Sequence, residues 1–315
     1  MPKRLGLALS VVISAAILSG FAVTAQNSWT SGAPMLTPRF GAAFGLIKGK
    51  VYVVGGATAS AIVGTNEIYD PVKNKWTTGA SMPTPTFAPA TAVVNNILYV
   101  IGGSTNGSDQ LAIVQAYNPA TNSWSTKTSM PVATSSMYSV AVKGIIYVVG
   151  GYADGGRTAN LYAYHPATDS WMQEASMKVG KSNPATGVMG GIIAAGGLGN
   201  GGDVTDNESY STSKNNWRTL AAIPTARAAA CFGVIKGKFY VASGAGGGDS
   251  DTPLDVLEAY VKATKSWTTG LASIPQAVIG PAPAVIKNRL YCIGGSNNGI
   301  FGQGVPYADV QVYAP

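Results

Sequence analysis

The sequence predicts an all-β fold in which six like units, each a small four-stranded sheet, close into a ring. Three observations predict it. A block of apolar run, Gly-Gly, Tyr and Trp recurs six times at a period of about 47 residues. Gly, Ser, Thr and β-branched residues dominate, and only 11% of residues are charged, a composition poor in helix formers. The last unit is divided between the two ends of the chain, as a closed ring requires.

The marks run in order. The glycine pairs are Gly55-Gly56, Gly102-Gly103, Gly150-Gly151, Gly196-Gly197, a degenerate Ser243-Gly244, and Gly294-Gly295. Tyr69, Tyr117, Tyr164, Tyr210 and Tyr260 follow, each seven residues before Trp76, Trp124, Trp171, Trp217 or Trp267. Within the first unit, 40–47 reads as an apolar strand and Lys48-Gly49-Lys50 as a tight turn. Residues 51–54 read as a second strand covered on both faces. The pair Gly55-Gly56 ends that strand and lets it bend where neighbouring units crowd. After a polar loop, 66–69 reads as a third strand, 70–74 as a turn, and 75–77 as the start of a fourth. Four short antiparallel strands repeated radially are the blades of a propeller. The regular Tyr and Trp supply large apolar area between blades rather than a sugar-stacking platform. The sixth unit ends at Tyr313 with no Trp after it, and Trp29 stands near the other terminus. The segment around Trp29 is therefore expected to add the fourth strand to the blade begun by 309–313, which removes both sheet edges.

With Met82-Pro83 and Met130-Pro131 leading into later units, these marks resemble kelch repeats. The resemblance covers residues 26–315 and implies a six-bladed β-propeller. It implies little about function, because propellers host unrelated activities.

Residues 1–25 read as a secretory signal peptide: Lys3-Arg4, an apolar stretch, and small residues at Val23-Thr24-Ala25. The mature chain is then secreted or periplasmic and free of the membrane. The formal charge is +7, of which two units leave with Lys3 and Arg4. The rest reads as spread along the sequence without a cluster, which argues against nucleic acid. The two cysteines, Cys231 and Cys292, sit in apolar runs and read as buried free thiols, with a disulfide as the alternative an exported chain permits.

No catalytic constellation emerges. His165 is the only histidine and occupies a turn position, so neither a metal site nor a nucleophilic triad is expected. The acidic loop around Asp249, Asp251 and Asp255 lacks a calcium-loop pattern and reads as solvated. Aligning the units brings out a correlation. Arg39, Lys181 and Arg227 share one position before the first strand. In the same three units, and only there, an acid stands two residues before the repeat Tyr: Glu67, Glu208 and Glu258. Ion pairs within each blade explain this best, and the same six residues are the candidates for a central binding site. The expected function is an exported, monomeric binding scaffold without cofactor. Its protein or glycan ligand is expected on the loops that follow the glycine pairs and on the inter-blade connections, where the repeats differ most. The alternative implied by resemblance is a sialic-acid mutarotase or epimerase-like enzyme using Arg39, Arg227 and Glu258.

Overall fold

The computed structural model describes residues 26–248, 251–299 and 304–315. The signal-peptide segment lies outside them, as do Asp249 and Ser250 of the acidic loop and 300–303 of the last long loop. Six antiparallel four-stranded sheets follow one another. In blade 1 they run Ala43–Ile47, Lys50–Val54, Asn66–Asp70 and Lys75–Gly79. Blade 6 runs Ala282–Ile286, Arg289–Ile293, Val310–Ala314, and then Ser28–Gly32 from the opposite end of the chain. Trp29 pairs with Tyr313 and Ser31 with Gln311, so the ring is closed by an ordinary strand ladder.

Two concentric circles of backbone hydrogen bonds knit the blades. In the outer circle, the second residue of each glycine pair donates to a carbonyl of the next blade. Gly56 bonds Thr86 O at 2.8 Å, Gly197 bonds Arg227 O at 2.8 Å, and Gly295 closes onto Arg39 O at 3.1 Å. A side chain at Gly56 would press on Phe40 O at 2.7 Å, with φ at +88°, which is why the pair recurs. The inner circle surrounds the axis. Gly41 N donates to Gly280 O, Ala88 N to Gly41 O, and Ser136 N to Ala88 O. Asn183, Ala229 and Gly280 continue the same pattern until it closes. All six residues have left-handed φ, from +50° to +63°, although four of them are not glycine. This corrects the first-strand reading over 40–47. Phe40 instead pairs singly with Ala57, and the chain turns inward at Gly41 before the strand opens at Ala43. An apolar run does not reveal a turn whose purpose is a hydrogen bond to another blade.

The aromatic marks form a third circle at the rim. Each Trp indole N–H donates to a carbonyl at the end of the preceding blade. Trp76 bonds Ala33 O, Trp124 bonds Ala80 O, and Trp29 bonds Ala272 O, each at 2.8 Å. Trp171, Trp217 and Trp267 do the same at 2.7–3.0 Å. The Tyr packs against its Trp, with ring centroids 5.0 Å apart for Tyr69 and Trp76. Both residues therefore have assigned structural partners in every blade.

Cys231 and Cys292 form a disulfide, which corrects the free-thiol reading. Cys231 opens the first strand of blade 5, and Cys292 lies in the second strand of blade 6. These strands pack face to face and place the Cα atoms 5.7 Å apart, within disulfide reach. Sequence spacing hides this proximity because the contact crosses a blade boundary. Replacing both cysteines by Ser is expected to lower unfolding free energy by about 2–4 kcal/mol. Urea titration under oxidising conditions measures it, and an unchanged midpoint would mean the bond adds nothing.

Charge is also organised by the fold, contrary to the even spread read from the sequence. Hairpin turns occupy one face of the disc, and the loops after the glycine pairs occupy the other. The described loops on that second face hold seven aspartates and a single cation, Arg157.

Candidate functional site

The six candidate residues lie inside the blades. Arg39, Lys181 and Arg227 are at most 1% exposed, and Glu67, Glu208 and Glu258 at most 2%. Each base meets the acid of its own blade: Arg39 Nη1 to Glu67 Oε1 at 3.0 Å, Lys181 Nζ to Glu208 Oε1 at 3.5 Å, and Arg227 Nη2 to Glu258 Oε2. Further contacts go to nearby backbone and one hydroxyl, while Arg39 Nε, Arg227 Nε and Glu208 Oε1 have no hydrogen-bond partner. Arg39 Nη2 donates to Val53 O, Leu36 N donates to Glu67 Oε2, and Thr225 Oγ1 donates to Glu258 Oε1. Burial pulls all three cations below their usual pKa, and the neighbouring carboxylate offsets part of that.

The blades without a base show what the arrangement does. Gln115 accepts from Thr84 N at 2.9 Å and donates to Thr84 O at 3.0 Å. Gln311 grips Gln276 in the same way at 2.8 and 2.9 Å. Amide or carboxylate, this position clamps the segment that enters the blade. The three charged versions add a strap to the second or third strand.

The axis offers little room. Its cavity is about 30 Å³, lined by residues of the inner circle with Phe40, Phe87, Met137 and Tyr138. None of the six candidates lines it. Asn183 also lines it, and its buried Nδ2 has no hydrogen-bond partner. The volume suits about one water molecule. The one titratable group in the lining is Tyr138, whose burial drives its phenol well above the usual range.

A larger opening lies off-axis on the loop face, between blades 2 and 3, with a volume of 260 Å³. Ser104, Gln110, Ser135, Ser136, Tyr152 and Arg157 line it. A short ribbon, Tyr152–Ala153 with Gly156–Arg157, pairs Tyr152 directly with Arg157. That register holds the guanidinium over the Tyr152 ring at 5.6 Å. Asn200, from the loop of blade 4, fixes the ribbon by accepting from Arg157 N at 3.0 Å. No described carboxylate lies within ion-pair distance of Arg157, and its buried Nε has no hydrogen-bond partner. Across the cleft, Asp109 ties Ser104, Thr105 and Asn106 into a fixed loop, and these donors hold its carboxyl below the usual pKa despite partial burial. The sequence reading missed Arg157 and its neighbours. The available signal was that Arg157 alone among the lysines and arginines falls in a loop after a glycine pair.

A sequence profile described as the KLHDC2/KLHL20/DRC7 Kelch-repeats domain matches residues 41–244. The chain belongs to the kelch-repeat family. Among solved structures, "Structure of YjhT" superposes on this kelch propeller with a TM-score of 0.76. That match has 18% sequence identity and covers 89% of this chain and 96% of that one. At this identity the likeness speaks for the fold alone. No match was found among curated proteins. Among the described residues, no cluster of His, Cys, Asp and Glu is suited to a metal ion, and no helix is long and apolar enough to cross a membrane.

Proposed function

We propose that this kelch propeller is an exported, monomeric binding scaffold whose ligand is a glycan or protein segment bearing a carboxylate. The observation that carries this reading is Arg157. It is a lone cation held over an aromatic face, without an acidic partner, in a cleft whose other polar groups are hydroxyls and an amide, beside Phe87 and Ala88. A guanidinium with free donors matches the planar geometry of a carboxylate. The serines and Gln110 suit the hydroxyls of a sugar or the amides of a peptide. Support for export comes from the apolar leader of the sequence and from the Cys231–Cys292 bond, which suits an oxidising compartment.

The mutarotase or epimerase reading needs a proton donor and acceptor facing one another across the substrate. The lining of the cleft supplies a guanidinium, a phenol, hydroxyls and an amide, with neither carboxylate nor imidazole. The buried Arg39, Arg227 and Glu258 are each engaged within their own blade. This composition supports binding rather than turnover.

Calorimetric titration with sialic acid, glucuronic acid and their uncharged counterparts tests the proposal. The acids are expected to bind, and Arg157→Ala to weaken them by about tenfold or more, the loss typical of a charged hydrogen bond. Thermal stability of the variant should stay near that of the parent, since Arg157 secures no buried ladder. Equal binding of acidic and neutral sugars would overturn the role of Arg157. Accelerated anomer exchange in NMR spectra of free sialic acid would establish an enzyme instead.

A further inference from the structure

The face opposite the cleft carries a second feature that the repeats conceal. Three of the six turns between first and second strands read base-x-base: Lys48-Gly49-Lys50, Lys236-Gly237-Lys238 and Lys287-Asn288-Arg289. The other three are Asn95-Asn96-Ile97, Lys143-Gly144-Ile145 and Gly190-Gly191-Ile192. Along the chain, the first basic turn lies far from the other two. Ring closure makes them neighbours, because blade 1 packs on blade 6 and blade 6 on blade 5. The three turns share one geometry, with left-handed φ at Lys48 and Gly49, at Lys236 and Gly237, and at Lys287 and Asn288. Their bases therefore stand at equivalent places on successive blades. Lys73 and Lys75 of blade 1, with Lys262 and Lys265 of blade 5, extend the same arc from the turns between third and fourth strands.

All ten side chains are exposed except Arg289, which is half-buried. The arc has one acid, Asp70, which Lys50 approaches at 3.7 Å and whose carboxylate also accepts from the amides of Val72 and Lys73. Between blades 6 and 1 the arc deepens into a groove of 610 Å³ lined by Lys48, Lys50, Lys73, Lys287, Arg289 and Tyr291. Such a density of cations, with Lys50 alone among them in a described ion pair, attracts an anionic chain and releases its counterions.

We infer that this arc docks a linear polyanion, specifically an acidic polysaccharide, on the face opposite the loop cleft. The shape favours a chain over a sheet of lipid. Charge is concentrated on three adjacent blades, whereas the hairpin turns of blade 2 carry none and those of blade 4 only Lys214, so a planar membrane would meet a dense charge on only one side of the disc. The chemistry favours a glycan over a single-stranded nucleic acid. Bases bind on exposed aromatic platforms, and the large exposed apolar residues among those described are Leu36, Leu46, Val72, Met172, Val188 and Val305, none of them aromatic. Nine of the ten bases are lysines, hydrated point charges that hold carboxylates or sulfates without fixed geometry.

The experiment uses the mature chain, with polygalacturonate as probe and neutral pullulan as the control polymer, at two salt concentrations. The groove of the arc loses four of its bases in the variant Lys48→Ser/Lys50→Ser/Lys287→Ser/Arg289→Ser. A control variant, Lys143→Ser/Lys214→Ser/Lys178→Ser/Lys127→Ser, loses an equal number of charges from blades 2 to 4. The arc variant is expected to weaken polygalacturonate binding by tenfold or more, on the order of two- to fivefold per charge removed. The control variant is expected to lose distinctly less, because its cations lie on blades 2 to 4, outside the three blades that carry the arc, where salt screens them more strongly. Binding should fall steeply as salt rises, while pullulan should not bind. Equal losses in the two variants would reduce the effect to net charge and overturn the site. Tighter binding to phosphatidylglycerol vesicles or to single-stranded DNA than to polygalacturonate would overturn the assignment of the ligand. Circular dichroism and sialic-acid titration show whether the variants keep the fold and the opposite cleft.

Discussion

A chain lacking residues 26–31 is expected to lose at least about 4 kcal/mol of stability, enough to unfold a marginal domain at moderate temperature. The deletion strips most of the closing strand from Val310–Ala314, whose backbone groups then form an open sheet edge. It removes the Trp29 ring, 5.2 Å from Tyr313 between centroids, and the indole bond to Ala272 O that ties blade 6 to blade 5. Asn27 goes as well. Its side-chain oxygen accepts both from Tyr313 Oη at 2.9 Å and from Ala272 N at 3.0 Å. Trp29→Ala alone, which keeps the ladder, should cost about 3 kcal/mol. Thermal and urea unfolding separate the two, and the truncated chain should also aggregate faster. A truncated chain that melts with the parent would show that the ring is held without its clasp.

The reading of the sequence reached the closure because a repeat is a comparison the chain makes with itself. The missing Trp of the sixth unit and the surplus Trp29 pointed to one another. The same comparison revealed the correlation of Arg39, Lys181 and Arg227 with Glu67, Glu208 and Glu258, since a buried cation without its acid is too costly to persist. Features that arise between units stayed hidden. The inner circle of hydrogen bonds depends on left-handed φ at Ala88, Ser136, Asn183 and Ala229, residue types that give no hint of it. The disulfide joins strands of different blades, and the basic arc forms only when the first and last repeats meet. The cleft was harder still. Arg157 matters through the company that a two-residue ribbon gives it, and such ribbons occur in the irregular loops where no repeat supplies a frame of reference.

The buried pairs give the second large expectation. Arg227→Met should destabilise the propeller by about 3–5 kcal/mol, since it leaves Glu258 buried, 2% exposed and deprived of its cation. The pair itself contributes far less than that figure. Burial pulls the Arg227 pKa down to about 10 from 12.5, so its desolvation outweighs the attraction of Glu258. A lowered pKa means that the folded chain holds this proton less tightly than the unfolded chain does. Charging Arg227 therefore opposes folding throughout the neutral range, where the guanidinium stays protonated. Blades 2 and 6 display the uncharged solution, in which Thr86 with Gln115, and Val278 with Gln311, clamp the entering segment through an amide. The double variant Arg227→Thr/Glu258→Gln copies blade 2 into blade 5. It should lie within about 1 kcal/mol of the parent, as exchanges of a buried pair for a satisfied neutral one often do. Urea unfolding of the parent, the single and the double variant measures the difference. If the single variant is as mild as the double, Glu258 is not stranded by the loss of Arg227. If the double is as severe as the single, the charge itself is required, and the equivalence between charged and neutral blades fails.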